Sequence, residues 1–184
     1  MTLPKLCFFD IESSSLYADT GFIMGYGFLT EDEKLQTAFI KGNVEEGEKQ
    51  LIQQCIKQLS KFQTVVTFYG EGYDFPMLVS RALKHGIDPS AILELNRIDL
   101  YQYVKEYMLL SKNSLDQVAK FFGIEKKTEL TGRDVPQLCA KAIQGDKKAL
   151  KQIKAHLKDD LNALAQLYGK LKPLVEGIGR ETSS

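Results

Sequence analysis

Leu6-Cys7-Phe8-Phe9-Asp10-Ile11-Glu12-Ser13-Ser14-Ser15 is the stretch on which the reading of this chain turns. An apolar run suited to a buried strand ends by presenting two carboxylates, Asp10 and Glu12. They are one residue apart and therefore on one side of that strand. At the end of a core strand two acids repel each other and lose hydration, and a divalent cation between them is the simplest remedy. The competing reading is a strand that stops at Asp10 with both acids solvated in a loop.

Working outward, Gly21 to Leu29 reads as a second strand whose small residues allow backbone or ligand to come close. A polar turn over residues 30–34 leads into Leu35 to Ile40, which completes a three-stranded antiparallel meander. From Val44 to Leu59 the apolar residues Leu51, Ile52, Cys55, Ile56 and Leu59 fall at helical spacing, with Glu45, Glu46 and Glu48 near the start, where the helix dipole favours acids. Val65-Val66-Thr67-Phe68-Tyr69 follows a helix and reads as a buried strand parallel to the first.

The next turn, Gly70-Glu71-Gly72-Tyr73-Asp74-Phe75-Pro76-Met77-Leu78, sets Asp74 at or near a helix start, where an N-cap role is its cheapest explanation. That helix stops at His85-Gly86, with His85 a favourable C-terminal cation. Arg97 to Leu100 is a final strand edge, and Asp99 either caps the helix running to about Leu110 or joins the other acids.

The rest is helical. Ser114 caps a helix that Gly123 ends. A loop with Lys126, Lys127, Thr131, Gly132 and Arg133 precedes a helix from about Val135 to Ile143. Gly145-Asp146 opens the longest helix, with Leu150, Ile153, Leu157, Leu161, Leu164 and Leu167 on its buried stripe. His156 and Asp160, four apart, stand on one face of it, and Asp159 is turned about 100° away. They serve as a base and a metal ligand, or as a surface ion pair.

At 184 residues, with 43% hydrophobic and 26% charged residues, the chain fits one globular domain, residues 1–176, with a flexible tail over 177–184. The opening residues lack a signal pattern and no apolar run approaches the ~18 residues of a membrane span, so the expectation is a cytoplasmic protein without membrane contact. Cys7, Cys55 and Cys139 lack the paired spacing of zinc or redox sites and read as buried free thiols. The formal charge is zero, but residues 1–100 carry a net −5 and residues 101–184 a net +5. This fits a metal site facing a phosphate-binding surface and equally fits lysine-rich solvated helices.

Taken together, Phe9-Asp10-Ile11-Glu12, the Gly70 to Leu78 segment with Asp74, and His156-Leu157-Lys158-Asp159-Asp160 have the order and spacing of three motifs. In these the chain resembles the DnaQ-like 3′-to-5′ exonucleases of the ribonuclease H-like superfamily, in the histidine-bearing DEDDh subgroup, over nearly its whole length. Ile98-Asp99-Leu100, Ser114 to Ile124 and Gly132-Arg133-Asp134 bring it nearest the YprB-like branch and the proofreading domains of family B polymerases. Those domains usually carry Tyr where His156 stands. Many relatives also have Asn in the second motif where this chain has Tyr69. The length leaves no room for polymerase palm or fingers, so a stand-alone nuclease is expected.

The resemblance implies an α/β domain of ribonuclease H type, a mixed five-stranded sheet with its first three strands antiparallel and helices on both faces. It implies two divalent ions, Mg²⁺ or Mn²⁺, about 4 Å apart. Asp10 would bridge them, with Glu12 and Asp160 on the first, Asp74 assisting the second through water, and His156 as general base. Ser13, Ser14 and Ser15 would contact the strand, Leu16 and Tyr17 the terminal base, with Tyr69 and Tyr73 as further stacking candidates. The expected substrate is a single-stranded 3′ end, DNA first and RNA second. Rival readings are a non-catalytic nucleic-acid-binding module and an endonuclease. A net-neutral chain also leaves room for an oligomer or a protein partner that widens the basic surface.

Overall fold

The computed structural model describes residues 6–181, with side chains described through residue 177. Its strands are β1 (Leu6–Ser13), β2 (Ile23–Thr30), β3 (Leu35–Phe39), β4 (Thr64–Thr67) and β5 (Asn96–Asp99). They form one sheet in the order β3-β2-β1-β4-β5. β1 pairs antiparallel with β2 and parallel with β4, and β4 pairs parallel with β5. The mixed five-stranded sheet and its antiparallel meander are as the sequence led us to expect. The stretch read first is the central strand, which is why seven of its eight residues are fully buried.

The helices are α1 (Val44–Leu59), α2 (Asp74–Lys84), α3 (Ser90–Leu93), α4 (Leu100–Tyr107), α5 (Leu115–Phe121), α6 (Val135–Ile143) and α7 (Lys147–Glu181). Strand parity divides them between two faces. Cys7, Phe9 and Ile11 pack with Leu51, Ile52 and Cys55 of α1 and with Phe75 and Leu78 of α2. Leu6 and Phe8 pack with Val104 of α4, Val118 of α5 and Leu157, Leu161 and Leu164 of α7. A third cluster joins Met24 to Val135, Leu138 and Cys139 of α6 and to Ile153 of α7.

Two details differ from expectation. α3 is a short turn of helix that the sequence pattern did not announce, and α4 ends at Tyr107 instead of near Leu110. α7 continues through Pro173 to Glu181, its last residues within the stretch 177–184 expected as a tail, and Leu171 and Val175 before that stretch are buried. Residues 182–184 lie outside the described residues. All three cysteines are buried and free. Among the described residues no helix is long and apolar enough to cross a membrane.

Candidate active site

β1 carries Phe8, Asp10 and Glu12 on the face that α7 covers. Opposite the two acids on β2 stand glycines, Asp10 facing Gly27 and Glu12 facing Gly25. A Cβ at Gly27 would lie 2.5 Å from Leu161 Cδ1, closer than carbon atoms can approach. The last helix therefore rests on bare backbone beside Asp10, and it holds Asp160 directly before that contact and His156 one turn before Asp160. At the far end of β1 the ladder shifts register between Glu12 and Ser13, and the chain turns away to the loop before β2.

Asp74 comes from the second face. It is the first residue of α2, but α2 has no side-chain cap bond. The Asp74 Oδ1 instead accepts the Ile11 N–H of β1 at 3.1 Å. The capping explanation therefore fails at this position, and a buried carboxylate is tied to the backbone between Asp10 and Glu12. Asp10 and Asp74 also share a hydrogen bond. A cleft of about 170 Å³ opens over these groups, lined by Asp10, Glu12, Ser13, Tyr73, His156 and Asp160 among others. Roomier hollows exist, one of about 750 Å³ beside Phe8 and Tyr168, but none of the four candidate acids lines it.

The electrostatics are those of crowded acids. Burial drives Asp10 well above the carboxylate range, and Asp74, Glu12 and Asp160 add to the rise in that order. Glu12 is raised by burial, then by Asp160 and Asp74. Asp74 is pushed up to about 7, chiefly by burial, against the pull of the Ile11 N–H. Asp160 is also raised, because burial outweighs the help of His156 and Lys126.

Lys126 is the residue that sequence reasoning missed. Its Nζ lies 2.5 Å from Asp160 Oδ1 and 2.5 Å from Asp116 Oδ1, and its side chain is only 10% exposed. Burial pulls this ammonium down, yet the two aspartates outweigh that and hold it above its ordinary range.

As the side chains stand, no group of three or more His, Cys, Asp or Glu among the described residues is placed to hold a metal ion. The acids have found other partners: Asp10 and Asp74 each other, Asp160 the ammonium of Lys126. The donor set nevertheless fits a hard divalent cation. It is all carboxylate oxygen, its members raise one another's proton affinity, and Glu12 Oε1 is buried without a hydrogen-bond partner. His156 is buried, with Nδ1 unpartnered and Nε2 3.6 Å from Asp160 Oδ2. That span exceeds a direct hydrogen bond and suits one water touching both.

The residues expected to meet substrate divide. Ser13, Ser15, Leu16 and Tyr73 line the cleft, whereas Ser14, Tyr17 and Tyr69 do not. The hydroxyls are already engaged. Ser13 Oγ bonds the Ser15 carbonyl at 2.6 Å and the Tyr73 hydroxyl, Ser14 Oγ accepts the Phe22 N–H at 2.9 Å, and Ser15 Oγ pairs with Thr20 Oγ1 at 2.8 Å. They shape the loop, while Leu16 and Tyr17, about two-thirds exposed, stand out from it.

Tyr69 lies in the left-handed region at φ +66°, a conformation that Asn tolerates and an aromatic residue resists. Asp99 holds it there. Oδ1 accepts the N–H of Tyr69 at 2.7 Å and of Tyr101 at 3.0 Å, and Oδ2 accepts that of Glu71 at 3.1 Å. Asp99 thus caps α4 and pins the turn carrying the second motif. We expect Tyr69→Gly to be more stable than Tyr69→Ala by about 1 kcal/mol in urea denaturation, since both lose the ring and only Gly relieves the strain. Equal stabilities would mean that the backbone is unstrained.

Asp159, turned away from the cleft as its helical position requires, is also buried, and its Oδ2 accepts the Thr128 N–H at 2.6 Å. It anchors the loop that brings Lys126 over Asp160.

A family model described as the RNase_H superfamily matches residues 7–172. The chain is 32% identical over 103 residues to a DNA polymerase of Methanocaldococcus jannaschii, an alignment covering 45% of this chain and 6% of that protein. In shape it is similar to the family B DNA polymerase from the hyperthermophilic archaeon Pyrobaculum calidifontis, with a TM-score of 0.77 at 20% identity. That match covers 91% of this chain and 24% of the polymerase. The chain thus spans a small part of either relative.

Proposed function

The chain belongs to the RNase H superfamily, and from that premise we propose that it is a metal-dependent 3′-to-5′ exonuclease of single-stranded nucleic acid that releases nucleoside monophosphates. The observation that carries the proposal is the convergence of Asp10, Glu12, Asp74, Asp160 and His156, from three distant stretches of sequence, on the end of the central strand, Asp74 reaching its Ile11 amide from the other face. DNA is the favoured substrate, because both relatives described above are DNA polymerases.

In this reading Asp10, Glu12 and Asp160 hold divalent cations from the cleft, and Asp74 supports them from behind while fixing the Ile11 amide. Mg²⁺ or Mn²⁺ there supplies charge that offsets the negative charge building on the phosphate and leaving oxygen, and acidifies water at neutral pH. His156 would accept the proton of the attacking water at Nε2, and Asp160 Oδ2, 3.6 Å from that nitrogen, would orient the same water. Ser13, Ser15 and Tyr73 wall one side of the cleft. Lys126, held between Asp116 and Asp160, offsets part of the negative charge behind the cleft.

The test is to incubate 3′-labelled and 5′-labelled single strands, as DNA and as RNA, with Mg²⁺ or Mn²⁺. Mononucleotides leaving the 3′ end first are the expected product. Absence of cleavage with either metal would favour a non-catalytic binding module, and internal cuts would favour an endonuclease. His156→Ala should lower kcat by about 10²–10⁴ while leaving single-strand affinity in Ca²⁺ near that of the parent.

A further inference from the structure

On the face of the sheet opposite α7 lies a buried ionic network that the proposed chemistry does not use. Glu48 of α1 is fully buried and Arg81 of α2 is 4% exposed. Arg81 Nε donates to Glu48 Oε1 at 2.8 Å, its Nη2 donates to Oε2, and His85 Nε2 lies 2.8 Å from the same Oε2. Two further bonds leave the helices. Glu48 Oε1 accepts the Ile23 N–H at 2.8 Å, and Arg81 Nη1 donates to the Ala18 carbonyl at 2.9 Å. The Arg81 bond grips the loop between β1 and β2, the segment that carries Ser15, Leu16 and Tyr17, and the Glu48 bond fixes Ile23, where that loop passes into β2.

A buried ion pair of this kind is a poor source of stability, since apolar residues of similar volume commonly do as well or better. What it supplies here is backbone placement. The loop between Ser14 and Phe22 is polar, bears two largely exposed apolar side chains and has little core of its own. A planar guanidinium, fixed on one side by a carboxylate, holds a carbonyl in a way that no apolar contact can. Arg81 also lies seven residues after Asp74 on α2, about two turns along, so the helix that ties down the Ile11 amide ties down the loop as well.

We propose that Arg81, locked by Glu48 and His85, is a positioning residue for substrate, fixing the Ala18 turn so that Leu16 and Tyr17 meet the terminal nucleotide of the strand. The proposal rests on the exonuclease reading and adds to it the source of strand affinity. Arg81 itself touches neither phosphate nor base. Its loss should weaken strand binding and leave the chemistry at Asp10 and His156 intact.

The test compares two substrates with Mn²⁺: a single-stranded oligothymidylate, which needs the loop, and bis(p-nitrophenyl) phosphate, which has no base to place. Glu48→Met/Arg81→Met removes the network without leaving a buried charge unpaired. It should raise KM for the oligonucleotide at least about tenfold with kcat within about threefold, and leave kcat/KM for the small ester within about threefold. Arg81→Lys keeps a counter-charge for Glu48 but loses the fork to Ala18, and it should move KM in the same direction, carrying the test should the double variant fail to fold. An unchanged KM, or a parallel fall on both substrates, would overturn the positioning role. A parent protein that cleaves neither substrate would refute the exonuclease reading and this role with it, whereas an active parent whose variants show no KM defect refutes the role alone.

Discussion

Asp10→Asn is expected to abolish strand cleavage, by about a thousandfold or more, and at the same time to raise the melting temperature of the protein in the absence of divalent cations. The first effect follows because, in the proposed reading, the central carboxylate would share cations with its neighbours, and their charge would stabilise the transition state by several kcal/mol. The second follows from crowding. Asp10 is raised by burial and by three other acids, so an amide at this position removes repulsion and still has a hydrogen bond to offer Asp74. A gain of about 1–2 kcal/mol would lift the midpoint by about 3–6 °C in a protein of this length. Loss of activity together with a lower midpoint would mean that Asp10 is a structural residue.

The same crowding makes stability depend on pH and on cations. In the folded protein Asp10, Glu12, Asp74 and Asp160 all hold protons more tightly than free carboxylates, because burial and mutual repulsion disfavour their charged forms. The folded state then binds more protons than the unfolded chain above about pH 4, so stability is full below that value and is lost as pH rises. The loss extends through about 7, where Asp74 titrates, and the raised Asp10 and Glu12 carboxyls add to it in the same direction. Glu48 acts in the opposite sense at the acid end, since Arg81 and His85 outweigh burial and hold it below its ordinary range.

Thermal denaturation should therefore show a maximum on the acid side of neutrality and a falling midpoint towards pH 8. Mn²⁺ at about a hundred times its dissociation constant should restore about 2.7 kcal/mol at pH 8, or about 5–10 °C. A midpoint that rises steadily from pH 5 to 8, or ignores Mn²⁺, would show that the acids do not form one coupled site.

How much of this was legible depends on how far each signal travels along the chain. Asp10 and Glu12 announced themselves through strand parity, and His156 and Asp160 through helical spacing, because both pairs are set by local periodicity. Asp74 was legible as an acid at a helix start but not as a partner of the Ile11 amide, since 63 residues separate donor and acceptor.

Lys126 could not be singled out. It is one of 24 basic residues, it sits in a loop without period, and its role depends on Asp116, Asp160 and the anchoring of Thr128 by Asp159. The Glu48–Arg81–His85 network was hidden for a different reason. Glu48 and His85 each had a sufficient local explanation, an acid near the start of one helix and a cation at the end of another, and those explanations concealed the contact between them through Arg81.

The bare backbone of Gly27 has a consequence for how such sites are measured out. Gly27 pairs with Asp10 and bears the weight of Leu161, which follows Asp160 directly. The interval between the first motif and the third is therefore set by the absence of a methyl group, at a position with no charge, no lone pair on a side chain and no part in any proton transfer. It works as a gauge block: a spacer of fixed thickness that determines whether acids on a strand and acids on a helix stand within reach of a common ion.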